Sequence, residues 1–325
     1  MRTNDNTTAQ LGKVAQLHYE HNLTHHEIAA LLGLSRVKVT RLLAEARRTG
    51  IVSITINTDE RLFLDLENRL VGQFGLSRAW VGPSLSDHRA SASLGAVGAQ
   101  CMTALLTPET RVVTVGFSQS VAYALQHMSH QDLHGVSFVQ ATGNPSSLDR
   151  VGSSSKLTIG FADTLGGHSY QLPAPLLATT AAVAEVLSRE TVVRDVLERA
   201  SKADLLIAGV GAMGNDSRML IDAVGDDDLE RLSEAGAVGD LCARFFDAEG
   251  NAINSDIDQR VIGLALDQLA AIPTRVAIAV GAGKVHALRG AMQGGLINTL
   301  VTDTETARLL LDSSAALPVR AEATG

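Results

Sequence analysis

Hydrophobic residues between Leu23 and Gly50 recur at the spacing of two short amphipathic helices. Thr24, followed three positions later by Glu27, forms the pattern of a capping box, which predicts the start of the first helix. Gly33 suits the left-handed residue that ends this helix, and Ser35 can cap the second one. The segment therefore predicts a helix-turn-helix.

The second of these helices leaves polar and basic side chains on its outer face. From Leu34 to Gly50 the chain has five basic residues against one acidic residue. The recognition helix of a helix-turn-helix places its N-terminal end in the DNA major groove, which favours DNA binding over an ordinary helical hairpin with a solvated basic face. The candidate DNA contacts, including the two caps, are Thr24, Ser35, Arg36, Val37, Lys38, Thr40, Arg41 and Arg47.

The segments on either side of this motif complete a predicted DNA-binding domain over residues 1–57. Residues 8–21 predict a supporting helix, and the alternation in 51–56 predicts a strand like the wing of a winged module. Residues 58–76 are predicted to be a linker, with an amphipathic helix over 61–74. Its apolar stripe either pairs with a second copy or lies on the body of the same chain. Since helix-turn-helix modules usually read two half-sites, we expect a homo-oligomer in either case.

From residue 77 onwards, short apolar runs alternate with helical patterns. Such runs, each followed by glycine and a helix, predict an α/β domain with a parallel sheet over residues 77–312. The Ala-rich residues 313–325 are predicted to be a disordered tail. The predicted strands are 78–81, 111–116, 136–140, 169–172, 204–209, 275–280 and 299–302, and the predicted helices are 88–106, 118–128, 157–165, 177–187, 190–200, 260–269, 284–293 and 304–311.

Charge is distributed unevenly along the chain. The net charge is −8, whereas residues 1–50 carry +3, so the rest of the chain carries −11. A basic head on an acidic body is typical of a protein that touches DNA with one small module.

Aromatic residues make up 3% of the chain, which argues against a base-stacking surface for single strands. No apolar run approaches 18 residues and no signal peptide is evident, so we expect a cytoplasmic protein that does not enter the membrane.

Several predicted strands end in glycine-rich loops. The carboxyl ends of parallel strands bind ligands, so these loops predict a pocket for a polyhydroxylated or phosphorylated small molecule. The alternative is that each glycine only makes a tight turn. Two loops imitate nucleotide-binding motifs, GVGAMG and GAGK, but their flanking residues do not continue either motif. We expect no metal and no cofactor. The candidate residues in these loops are Gly116, Ser118, Gln119, Ser120, Gly143, Asn144 and Gly211.

Three charged residues further along the chain add to this predicted pocket. Asp240 and Arg244 lie in the segment GAVGDLCARFFDAEG, and Lys284 follows a later strand. A carboxylate accepts hydrogen bonds from sugar hydroxyls, and Arg and Lys bind phosphate. A surface ion pair between Asp240 and Arg244 is the alternative.

The chain resembles the SorC family of sugar-responsive bacterial transcriptional regulators over nearly its whole length. The matching pieces include LTHHEIAALLGLSRVKVTRLL, ADLLIAGVGAM, GAVGDLCARFFDAEG and RVIGLALDQLAAIPTRVAIAVGAGKVHALRG. The resemblance implies a Rossmann-like body similar to sugar-phosphate isomerases, and dimers or tetramers. It also implies that Asp240 and Lys284 contact the effector. For Arg244 the resemblance supports such a contact less strongly. The loop after Gly116 departs from the family pattern at Ser120 and Ala122, so the effector can be a sugar, a polyol or a sugar phosphate.

The resulting hypothesis is a DNA-binding regulator of a carbohydrate or polyol operon that is controlled by a small-molecule effector. The partners are double-stranded operator DNA, the effector and further copies of the chain. One alternative is an isomerase- or deaminase-like enzyme with a fused DNA-binding head, in which Asp240 would act as a general base. Another is a scaffold whose body binds protein.

Overall fold

The computed structural model describes residues 3–52, 63–86, 89–145, 154–213 and 224–312. The chain divides into two compact units, Met1–Arg61 and Leu62–Gly325. Within the described ranges, no helix combines the length and the hydrophobicity needed to cross a membrane. The predicted tail over 313–325 and the last four residues of the predicted wing strand, 53–56, lie outside the described residues.

The N-terminal unit is a three-helix arrangement whose second and third helices form the predicted helix-turn-helix. The helices are α1 (Thr3–Tyr19), α2 (His25–Leu32) and α3 (Arg36–Arg48). Thr24 and Glu27 form the capping box, and Gly33 ends α2 with a φ of 65°. The apolar faces of the three helices meet in one core, formed by Leu11, Val14, Ala15, Ile28, Ala29, Val39, Leu42, Leu43 and Ala46.

The body is built on a seven-stranded parallel sheet, which confirms the predicted parallel α/β domain. The strands of this sheet are β1 (Arg78–Gly82), β2 (Val112–Val115), β3 (Ser137–Gln140), β4 (His168–Tyr170), β5 (Leu205–Ala208), β9 (Thr274–Ile278) and β10 (Thr299–Asp303). Their order across the sheet is β1-β10-β9-β5-β2-β3-β4.

Helices cover both faces of the sheet, which explains the continuous apolar runs of its strands. In β5, Leu206 and Ala208 face one core, while Leu205 and Ile207 face the other. The body helices are α4 (Leu64–Phe74), α5 (Arg89–Leu105), α6 (Gln119–Gln126), α7 (Ser154–Leu165), α8 (Ala181–Arg189), α9 (Thr191–Ser201), α10 (Asp226–Glu234), α11 (Asp256–Arg260), α12 (Leu266–Ala270), α13 (Val285–Gln293) and α14 (Thr304–Leu311).

A small antiparallel sheet, which the sequence pattern did not predict, stands beside the main sheet. It contains β6 (Val210–Ala212), β7 (Gly239–Leu241) and β8 (Arg244–Phe246), in that order. Its strands are three residues long, too short for a recognisable alternation of apolar and polar positions. Because β6 follows β5 after one residue, this sheet is attached directly to a strand end of the main sheet.

Two predicted helices differ from the structure. The single helix predicted over 260–269 is wrong, since α11 ends at Arg260 and α12 begins at Leu266. The intervening residues pair with other segments, including a bridge between Thr142 and Gly263. The helix predicted over 177–187 begins later, because Thr180 is its N-cap and accepts a hydrogen bond from the backbone N–H of Val183.

The apolar stripe of α4 packs against the body of its own chain. Leu70 is fully buried in one of the hydrophobic cores of the body, and Leu66 and Phe74 pack on the same core. Glu67, also buried, accepts a hydrogen bond of 3.0 Å from the backbone N–H of Val81 on the edge strand β1. The structure thus favours the second of the two alternatives for this linker, a helix that covers its own sheet edge.

Candidate functional site

The outer face of α3 presents the side chains that the sequence marks as DNA contacts. Arg36, Lys38, Thr40 and Arg41 are exposed, and Val37 is 79% exposed. The opposite face is buried in the three-helix core. A helix fixed from behind, with basic and small side chains near its N-terminus, has the form of a major-groove reader.

Two of the predicted contacts are primarily helix caps. The Thr24 hydroxyl lies 2.7 Å from a Glu27 carboxylate oxygen and accepts from the backbone N–H of Glu27. The Ser35 hydroxyl accepts from the backbone N–H of Lys38 at 3.2 Å. These bonds fix the N-terminal ends of α2 and α3, while Arg47 lies exposed in the last turn of α3.

In the body, the candidate residues converge where the strand order changes direction. Strands β2 and β5 are neighbours in the sheet. The strand that follows β2 in the chain, β3, lies on one side of this pair, and the next main-sheet strand after β5, β9, lies on the other side. This is the topological switch point at which open α/β sheets bind ligands. A Cβ atom on Gly116 would lie 2.7 Å from Cys242 Sγ, so the loop after β2 requires glycine where the hairpin of the small sheet approaches it.

The turn between β7 and β8 has an unusual backbone. Cys242 and Ala243 have φ angles of 53° and 63°, the left-handed pair of a type I′ turn. Residues other than glycine rarely adopt this conformation, and strained positions of this kind occur preferentially at functional sites. A carboxylate oxygen of Asp240 accepts the backbone N–H of Ala243 at 3.1 Å and so supports the turn.

Asp240 is the buried carboxyl group of the site. Burial raises its pKa to about 6, an effect that the hydrogen bond from Ala243 and the charge of Lys284 partly offset. Its carboxylate lies so close to Gly211 that a Cβ atom there would overlap it. The Lys284 ammonium group donates to the carbonyl oxygen of Val210 at 2.9 Å. Asp240, Gly211 and Lys284 therefore form one cluster, as the sequence predicts.

A small open cleft lies beside this cluster. Ser118, next in sequence to the lining residue Phe117, caps α6 by accepting from the backbone N–H of Val121 at 3.3 Å, and Gln119 and Ser120 occupy the first turn of that helix. Of the charged candidates, Asp240 lines the cleft itself; a carboxylate can accept hydrogen bonds from hydroxyl groups, and a nearby ammonium group and helix N-terminus can bind an anion. The residues that line the cleft are Phe117, Thr142, Gly143, Pro145, Leu176, Asp240, Cys242 and Ala243.

Two family models match the chain. Residues 61–312 match the family described as "Putative sugar-binding domain", and residues 7–68 match a Crp-like helix-turn-helix domain. The transcriptional regulator LsrR of Escherichia coli K12 is 34% identical over 313 residues, which are 94% of this chain and 95% of LsrR. The chain belongs to the SorC family of sugar-binding transcriptional regulators.

A second relative and a solved structure support the same assignment. LsrR of Klebsiella pneumoniae is 34% identical over 93% of this chain and 92% of its own length. The crystal structure of the full-length sorbitol operon regulator SorC from Klebsiella pneumoniae superposes with a TM-score of 0.73 at 28% identity. That match covers 94% of this chain and 99% of SorC. This SorC-family chain is thus a sugar-responsive, DNA-binding transcriptional regulator.

Arg244 has a structural position in this SorC-family body, against the predicted effector contact. It is buried, and its five N–H groups face five acceptors at 2.6–3.3 Å. Four of these are backbone carbonyl oxygens of residues 258–264, and the fifth is the Asp258 carboxylate. Neither the predicted contact nor the alternative, a surface pair with Asp240, matches this geometry, because the guanidinium group binds α11 and the loop between α11 and α12.

Asn144 also makes bonds within the protein. Its amide donates to the carbonyl oxygen of Leu172 and accepts from the buried amide of Gln140 at 3.0 Å. Gln140 in turn accepts from the backbone N–H of Leu172. Sequence reasoning missed Gln140, although a glutamine that ends a buried strand is a signal for a structural hydrogen bond. These two amides hold one wall of the cleft.

Proposed function

We propose that the cleft of the body binds a sugar, a polyol or a sugar phosphate, and that this binding controls how α3 engages operator DNA. The observation that carries the proposal is the buried Asp240 carboxylate, which lines the cleft at the switch point. The positive charge of Lys284 interacts with this carboxylate and lowers its pKa. A carboxylate held at such a place is well suited to accept hydrogen bonds from ligand hydroxyl groups.

The rest of the cleft suits the polar ends of such a ligand. An α-helix provides no acceptor for its first backbone N–H groups, so those of Gln119 and Ser120 in α6 point to its N-terminal end. Lys284, which is half-buried, adds a positive charge on the other side of the cluster. We infer that this end of the cleft holds either a phosphate or a further hydroxyl group of the effector.

Regulation follows if effector binding changes the arrangement of subunits. A helix-turn-helix protein reads two half-sites at a fixed spacing, so we expect this chain to act as a homo-oligomer. A ligand that binds one subunit arrangement more tightly shifts the population towards it. We infer that the effector thereby changes the spacing of the DNA-binding heads and with it the affinity for the operator.

A thermal-shift screen of the full chain against sugars, polyols and their phosphates tests the proposal. A true effector raises the melting temperature because it binds the folded state. Lys284→Ala should remove that shift, whereas Lys202→Ala, a surface residue paired with Glu198, should keep it. We propose binding without turnover, so the effector should be recovered chemically unchanged. If no compound shifts the wild-type melting temperature, the sensing proposal fails and the scaffold hypothesis gains.

A further inference from the structure

The first residue of α2 contacts the middle of the recognition helix. His25 Nδ1 lies 3.1 Å from the Thr40 hydroxyl oxygen. The same hydroxyl lies 3.1 Å from the backbone carbonyl oxygen of Arg36, one turn earlier in α3. A ring nitrogen of α2 and a carbonyl oxygen of α3 thus share one hydroxyl group on the exposed face of the recognition helix.

Because the Thr40 hydroxyl has one proton, it can donate to only one of its two partners, His25 Nδ1 and the Arg36 carbonyl oxygen. A carbonyl oxygen can only accept, so the Thr40 hydroxyl donates its proton to Arg36, and His25 Nδ1 donates to Thr40. The His25 ring is held from behind by His18, whose ring centroid is 5.0 Å away in an edge-to-face contact. His18 is fixed in turn by a 2.9 Å hydrogen bond to the carbonyl oxygen of Leu23.

This arrangement limits what Thr40 can offer to DNA. With its proton committed to Arg36, the Thr40 hydroxyl cannot donate a hydrogen bond to a base, and its methyl group becomes the main feature of the side chain. Val37 lies three residues earlier, on the same face of α3, and is 79% exposed. Together, Val37 and Thr40 form an apolar surface on a helix face that also carries Arg36 and Arg41.

We propose that Val37 and Thr40 contact the 5-methyl groups of thymine in the major groove of the operator, and that His25 is the positioning residue that fixes Thr40 for this contact. The thymine methyl group is the apolar feature of the major groove, and small apolar side chains recognise it. The proposal rests on the proposed operator binding by α3 and names bases that this helix reads.

Deoxyuridine substitution isolates the proposed contact, because it removes the methyl group and keeps every hydrogen-bonding group of the base. The probe is a duplex selected from a random-sequence library by the full chain. Each thymine is then replaced by deoxyuridine in turn, and affinity is measured by fluorescence anisotropy at fixed salt. We expect at least one position per half-site to lose about threefold to tenfold in affinity with the wild-type protein.

Variants assign each loss to a side chain. Val37→Ala should abolish the deoxyuridine effect at one position, and Thr40→Ser, which removes a methyl group, should abolish it at another. His25→Ala should weaken the effect at the Thr40 position, and adding Thr40→Val should restore it, because valine keeps the methyl group without needing the hydrogen bond. The matched control is His26→Ala, an exposed neighbour, which should leave every deoxyuridine effect unchanged.

The possible failures are distinguishable. Tight binding to the selected duplex with equal affinity for thymine and deoxyuridine at every position would overturn the methyl contact and leave operator binding intact. Deoxyuridine effects that persist in full in His25→Ala would overturn the positioning role. If the wild-type chain selects no duplex at all, the proposed operator binding fails, and this inference fails with it.

Discussion

At the scale of single residues, Asp240 links the proposed function to a measurable cost in stability. Its pKa of about 6 lies above the ordinary value of 3.8, so the folded protein binds this proton more tightly than the unfolded chain. Between these two values the folded state keeps the proton while the unfolded chain loses it. Stability contributed by the protonated group is therefore lost as the pH rises through this window.

The predicted size of this loss is about 2 kcal/mol between pH 4 and pH 7. Asp240→Asn removes the titration, so the free energy of unfolding of the wild type relative to this variant should fall by that amount and then level off. Urea unfolding of both proteins from pH 4 to pH 8 measures it. Parallel pH profiles of the two proteins would show that Asp240 is not a desolvated carboxyl group.

Arg41 is the residue with which we expect α3 to contact a base edge. Arg41→Ala should weaken binding to the selected duplex by about 1–3 kcal/mol, the range for a well-placed bidentate contact with guanine. Arg48→Ala is the control, because the Arg48 guanidinium group is paired with Glu45 on the same helix. Anisotropy titrations at one salt concentration compare them, and an unchanged affinity of Arg41→Ala would contradict its placement.

At the scale of elements, Arg244 connects the small sheet to the loop between α11 and α12. Lysine cannot reproduce five divergent N–H groups, so Arg244→Lys should lower the free energy of unfolding by about 3 kcal/mol. Arg231→Lys, with an exposed side chain, should change it by less than about 0.5 kcal/mol. A fully stable Arg244→Lys protein that no longer binds the effector would instead support a direct contact.

The same elements show what could be predicted from the sequence. Local signals identified α2 and α3, because the capping pair Thr24–Glu27 and the cap Ser35 act within a few residues. Continuous apolar runs identified the buried strands of the main sheet. The helix predicted over 260–269 was wrong because the carbonyl oxygens of Val261, Gly263 and Leu264 accept hydrogen bonds from Arg244, a contact that no local pattern shows.

The candidate site could be predicted in outline from the same sequence. Strand-end loops placed Gly116, Ser118 and Gly143 at one sheet edge, and the charge chemistry of Asp240 and Lys284 added these two, which the family resemblance also implied. The structural role of Arg244 could not be predicted, since a buried arginine and a ligand-binding arginine look identical in a sequence. The hydrogen bond between His25 and Thr40 likewise depends on how α2 and α3 pack.

At the scale of the whole molecule, sensing and DNA binding belong to different units with opposite charge. Residues 1–50 carry +3 and the remainder −11, so attraction to DNA is confined to the head. The cleft that we propose as the effector site lies within the other unit. Control of transcription therefore requires a coupling free energy between two separate sites, which for allosteric proteins is about 1–3 kcal/mol.

The most direct test of this coupling is the operator affinity of the full chain with and without a saturating compound from the thermal-shift screen. We predict that the compound changes the wild-type dissociation constant by about fivefold or more. Lys284→Ala should bind the operator with normal affinity and show no such change. If the compound binds the wild-type protein and its operator affinity stays the same, the central claim that the cleft controls DNA binding is wrong.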